Sequence, residues 1–133
     1  MHPSKLHDMI YTSNKKVFDT FLTFPKPLLA AINGPAIGAS VTTATLCDQI
    51  VAAKSATFLT PFARLGVPPE GCSSVHFERL MGDQGLRMLG PEAFKPTGEE
   101  AMDIGLVNEV ADDSDLMQRA LEICEGWVAD EER

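Results

Sequence analysis

The run Leu28-Leu-Ala-Ala-Ile32, closed in by Pro27 and by Asn33-Gly34-Pro35, constrains this chain more than any other stretch. Five apolar residues without alternation leave no face for water, so the segment suits a short strand covered on both faces. Proline on either side bars its growth into a helix. Asn33-Gly34-Pro35 then reads as a sharp turn. Strands of this kind need helices above and below them, which points to an α/β fold with layered packing.

The flanking segments supply those helices. Between residues 5 and 23, Leu6, Met9, Ile10, Val17, Phe18, Phe21 and Leu22 recur at spacings of three and four, with Lys5, Asp8, Lys15, Lys16 and Asp19 among the polar positions. This is the apolar stripe of an amphipathic helix, stopped by Pro25 and Pro27. Gly38 to Leu46 is rich in small and β-branched residues, so a helix there depends on close packing more than on propensity. Strands are expected at Gln49–Ala53, Ala56–Thr60 and Leu106–Val110, and helices from Cys72 to Gly82 and on to Gly90-Pro91. Thr97-x-x-Glu100 has the form of a capping box, in which each side chain satisfies the other residue's free amide. Asp112, Asp113, Ser114 and Asp115 precede a final helix bearing Leu116, Ala120, Ile123, Cys124 and Trp127.

Composition excludes several function classes. With 133 residues and 44% hydrophobic content, the chain has room for one hydrophobic core. The net charge of −8 is concentrated beyond Pro91, and no basic stripe suited to nucleic acid is present. No apolar run is long enough for a membrane span, and Met1 to Leu6 carries no secretory signal. Cys47, Cys72 and Cys124 are an odd set without paired spacing, which reads as reduced thiols rather than as a disulfide or zinc framework. No His, Cys and carboxylate cluster has metal spacing, so no metal is expected.

Two stretches carry candidate chemistry. Glu70 is an isolated acid inside the mostly apolar, proline-stiffened segment Pro61–Ser74; Asp48 and Glu78 are its nearest acidic neighbours in the chain. Such surroundings disfavour the charged carboxylate and suit a general base, although a glutamate after Pro68-Pro69 also suits a solvated turn. Asn33 to Ser40 joins the buried strand to a helix whose first free amide, at Ala39, faces either a ligand oxygen or nothing but a tight turn. Cys72, close to Glu70, reads as a nucleophile or a small packing residue. His76 reads as a packed or half-exposed side chain.

Taken in order, Phe24-Pro-Lys-Pro-Leu-Leu-Ala-Ala-Ile-Asn-Gly-Pro-Ala-Ile-Gly-Ala, Cys47-Asp48, Arg79-Leu-Met-Gly and Glu99-Glu-Ala-Met-Asp-Ile-Gly-Leu-Val-Asn-Glu-Val resemble the crotonase (enoyl-CoA hydratase/isomerase) superfamily. Thr57-Phe-Leu-Thr-Pro-Phe-Ala-Arg-Leu-Gly-Val-Pro-Pro-Glu-Gly-Cys-Ser-Ser is most similar to its peroxisomal-type Δ3,Δ2-enoyl-CoA isomerases. The resemblance implies a partial crotonase (ClpP/crotonase-like) α/β fold. It implies one domain over 1–133, truncated before residue 1 and shortened after Trp127 relative to that family.

The resemblance also implies a chemistry. Hydratases of the family use two glutamates, at positions occupied here by Thr42 and Phe62, neither of which moves a proton near neutral pH. The isomerase-type branch keeps one deeper glutamate, matched by Glu70, and holds the enolate oxygen on backbone amides, one matched by Ala39. Gly38, Pro61, Phe62 and Leu65 are then the substrate-binding candidates, with Phe62 and Leu65 equally readable as ordinary core residues. Arg64 suits a CoA phosphate or a surface ion pair. The implied function is isomerisation of a 3-enoyl-CoA in fatty-acid β-oxidation, with a catalytically silent acyl-CoA-binding or assembly module as the alternative. The acyl-CoA thioester is substrate, no cofactor is expected, and a homo-oligomer (trimer or hexamer in the family) is. The resemblance points to the peroxisome, yet the chain ends Asp130-Glu-Glu-Arg and not in a Ser-Lys-Leu-type address.

Overall fold

The computed structural model describes residues 2–131. Helix α1 (Pro3–Leu22) opens it, and Pro25 and Pro27 deliver the chain into β1 (Leu29–Ile32). Next come β2 (Pro35–Ile37), α2 (Ala39–Ala44), β3 (Gln49–Ala53) and β4 (Thr57–Leu59). Beyond these lie α3 (Phe62–Leu65), α4 (Ser73–Met81), α5 (Asp83–Leu89), α6 (Gly98–Asp103), β5 (Glu109–Ala111) and α7 (Leu116–Glu131).

The strands form two small parallel sheets. One has the order β1-β3-β5, with Leu29 opposite Gln49 and Val51 opposite Glu109. The other pairs β2 with β4, Pro35 opposite Thr57 and Ile37 opposite Leu59. β3 is central, and its Ile50, Val51, Ala52 and Ala53 are all buried. Because successive side chains point to opposite faces, Ile50 and Ala52 join the larger core with Val41, Phe58, Phe77, Met88 and Leu106. Val51 and Ala53 instead meet Leu116 of α7 on the other face. Phe58 and Phe77 are fully buried, and each such side chain contributes about 1.5–3 kcal/mol by leaving water. The fold is thus the layered α/β arrangement expected of Leu28–Ile32, although β1 itself is only half-buried because it forms the sheet edge.

Three local expectations need correction. The turn at Asn33-Gly34-Pro35 runs directly into β2, where Pro35 takes the first strand position and so needs no amide donor. β5 begins at Glu109 and not at Leu106: the Asn108 side chain accepts from the Ile50 amide at 2.8 Å, and Leu106 and Val107 are core residues ahead of the strand. Cys72 is exposed, with φ of 62°, and is not a packing residue. The capping box forms in full: the Thr97 hydroxyl accepts from the Glu100 amide, and the Glu100 carboxylate accepts from the Thr97 amide.

Helix α1 has the expected stripe but buries no residue; only Phe18, Asp19 and Phe21 are even half-buried. Leu6, Met9, Ile10, Tyr11, Val17 and Leu22 stay exposed. The helix lies over the segment carrying Glu70, where Phe18 comes against Gly71.

Candidate active site

Glu70 sits where the chain leaves a rigid corner. Gly66, with φ of 67°, ends the single turn of α3, and Pro68-Pro69 stiffens the approach to Glu70. Gly71, with φ of 60°, is pressed between α1 and α2: an added Cβ would lie 2.8 Å from Phe18 Cε1 and 2.8 Å from Thr42 Cβ. The Glu70 carbonyl accepts from the Ser73 amide at 3.0 Å and from the Ser73 hydroxyl at 2.6 Å. Its backbone is pinned on both sides while its carboxylate stays free; among the described residues no hydrogen bond or ion pair engages it. Burial alone pushes the Glu70 carboxyl above its ordinary range. An unpaired, partly desolvated carboxylate of this kind is a proton acceptor with no competing partner.

Glu70 borders two open clefts. One, of about 500 Å³, brings Glu70 together with Gly38, Pro61, Phe62 and Leu65. The four expected binding positions therefore converge on the expected base, although Phe62 is buried and Leu65 is 68% exposed. The other cleft, of about 530 Å³, lies between α1 and Pro68–Gly71 and includes Tyr11 and Phe18. Ile10 and Asn14 line both. Sequence reasoning misses Asn14; the available signal is a polar residue four positions after Ile10 and four before Phe18, inside an apolar stripe.

Ala39 lines neither cleft; its predecessor Gly38 lines the one that holds Phe62 and Leu65. Gly38 adopts φ of 62° and ψ of −121°, donates its amide to the Leu59 carbonyl at 2.8 Å, and so turns the chain from β2 into α2. As the first residue of α2, Ala39 has no intrahelical acceptor for its amide. The Ser40 hydroxyl meanwhile accepts from the Ile37 amide at 2.7 Å.

Other candidates stand apart. Thr42 is fully buried, with its hydroxyl directed to the Ala39 carbonyl at 3.3 Å. His76 is half-exposed and donates through Nε2 to the Thr45 carbonyl at 2.9 Å. Arg64 donates to the Glu92 carbonyl at 3.0 Å. Among the described residues no group of three His, Cys, Asp or Glu side chains could hold a metal ion, and no helix is long and apolar enough to cross a membrane.

Residues 2–132 match the family model described as enoyl-CoA hydratase/isomerase. Enoyl-CoA delta isomerase 2 of Rattus norvegicus is 45% identical over 100 residues, which is 75% of this chain and 26% of that protein. Peroxisomal enoyl-CoA delta isomerase 3 of Mus musculus is 40% identical over 113 residues, 83% of this chain and 36% of that one. Among solved structures, an enoyl-CoA hydratase from Bacillus anthracis superposes with a TM-score of 0.84 at 26% identity, covering 95% of this chain and 48% of that one. The chain thus spans between a quarter and a half of the length of these relatives.

Proposed function

Because the chain belongs to the enoyl-CoA hydratase/isomerase family, we propose that it serves an enoyl-CoA isomerase, shifting the double bond of a 3-enoyl-CoA to the 2-trans position with Glu70 as the one base. The observation that carries this reading is Glu70 itself: a half-buried residue in the lining of two mostly apolar clefts, its carboxylate unpaired among the described residues and raised in pKa by burial. In this scheme Glu70 takes a proton from C2, the electrons move onto the thioester oxygen as a dienolate, and Glu70 returns the proton to C4. The Ala39 amide is the donor offered to that oxygen, and loss of one such donor typically costs ~10²–10³ in rate. Water addition is disfavoured because Thr42 and Phe62 stand where the family's hydratases carry glutamates. The similarity to a peroxisomal isomerase supports the peroxisome as the setting.

Conversion of a 3-enoyl-CoA by the purified chain, followed by the absorbance of the conjugated product, tests the assignment. Glu70→Gln is expected to lower turnover by ~10²–10⁴-fold, the usual worth of a general base. Turnover that survives the substitution refutes Glu70 as the base. A second reading, a module that binds acyl-CoA or assembles without turnover, is favoured by one observation: α1 walls both clefts yet buries none of its own residues. Acyl-CoA binding without conversion is its expected signature.

A further inference from the structure

This inference rests on the reading of Glu70 as the base of an isomerase. Glu70 to Ser73 close a tight turn: the Ser73 amide donates to the Glu70 carbonyl at 3.0 Å, and both central residues take positive φ, Gly71 at 60° and Cys72 at 62°. A turn of this hand suits glycine, so a cysteine at its second central position is held there by its surroundings. The turn brings Ser73, the first residue of α4, back toward Glu70, where the Ser73 hydroxyl donates to the same carbonyl at 2.6 Å. Ser73 is fully buried, so water does not compete for this bond.

A carbonyl oxygen offers two lone pairs, and here one residue fills both. A single bond would leave the Glu70–Gly71 peptide free to hinge about it. Two bonds fix its plane, and with it the direction in which the Glu70 side chain leaves the backbone. Helix α4 is itself anchored: Phe77 is fully buried, and the His76 ring bonds the Thr45 carbonyl at 2.9 Å. We infer that Ser73 is the positioning residue of the base, its hydroxyl carrying the rigidity of α4 to Glu70 and holding at one place a carboxylate that has no partner of its own among the described residues. Misplacing a reacting group by about 1 Å can cost ~10²-fold in rate, so loss of one of the two bonds should cost ~10-fold.

Ser73→Ala tests this, because it removes the hydroxyl, leaves the carbonyl its amide partner and keeps a helix former at the start of α4. With a 3-enoyl-CoA as substrate, kcat is expected to fall ~10-fold while KM stays within ~2-fold. The loosened carboxylate reaches water, so the acid inflection of kcat/KM should move down toward that of an ordinary glutamate, and NMR of the Glu70 carboxyl carbon should show the same shift without any substrate. His7, Tyr11 and Lys15, the other titratable residues of the clefts that Glu70 lines, are unchanged by the substitution. Ser74→Ala, at the exposed neighbouring position, should leave all three readouts as in the parent. A Ser73→Ala chain with parental kcat, or with a lower kcat but an unmoved Glu70 titration, overturns the positioning role and leaves the isomerase reading standing. A parent chain that converts no 3-enoyl-CoA overturns the isomerase reading, and this inference with it.

Discussion

Replacing Gly71 by alanine puts one methyl group into the tightest backbone approach near the site. Built on the existing backbone, that carbon lies 2.8 Å from Phe18 Cε1, 2.8 Å from Thr42 Cβ and 2.8 Å from Thr42 Oγ1. The φ of +60° adds strain of ~1–2 kcal/mol for any residue with a Cβ. Overpacking adds ~1–3 kcal/mol, because Thr42 is fully buried and β-branched and cannot turn aside. Phe18 can yield more readily, since α1 buries none of its residues. The sum is a loss of ~2–5 kcal/mol, a large part of the ~5–15 kcal/mol of a typical domain. In urea, with a slope near ~1.5 kcal/mol/M, the midpoint should fall by ~1–3 M.

Circular dichroism through a urea titration reads this directly, with Gly34→Ala as the comparison. Gly34 has no atom within 4 Å of its added carbon and no positive φ, so that change should be neutral or mildly stabilising. Phe18→Ala in the Gly71→Ala background should recover part of the loss. If Gly71→Ala unfolds at the same urea concentration as Gly34→Ala, this close approach does not pin Glu70.

Three further outcomes depend on two individual groups. A base must be ionised, and burial raises the Glu70 carboxyl above its ordinary value; kcat/KM should therefore fall with decreasing pH through an inflection higher than that of an ordinary glutamate. Because the folded pKa is the raised one, protonating Glu70 relieves the fold, so Glu70→Gln should be at least as stable as the parent at pH 7, with the difference vanishing below the glutamate range. Thr97→Ala removes the hydroxyl acceptor of the capping box at the start of α6 and should cost ~1 kcal/mol in thermal or urea unfolding; Thr97→Ser should restore most of it, and an unaffected Thr97→Ala would argue against the cap.

How much of this was legible along the chain depends on the range of the interactions involved. The capping box, the end of α1 at Pro25 and Pro27, and the buried strand β3 are set by neighbours a few residues apart. β2 was not legible: three residues after a turn signal become a strand only because Thr57–Leu59 lies alongside them. The start of β5 depends on Asn108 meeting Ile50 across 58 residues of sequence. The exposure of Cys72 likewise depends on how α4 begins, with a left-handed residue at its cap.

The candidate site divides in the same way. Glu70 as an isolated acid in a stiff apolar segment, Ala39 as a first helical amide, and Thr42 and Phe62 as residues that carry no mobile proton are all set by residue type and near neighbours. The pair of clefts is not. Residues 10–18, Gly38 and residues 61–71 come together only in the folded chain, and no local pattern shows that Ile10 and Asn14 wall the cleft that Glu70 borders. Even the raised pKa belongs to that packing, because desolvation measures what surrounds a carboxylate in space and not what precedes it in the chain.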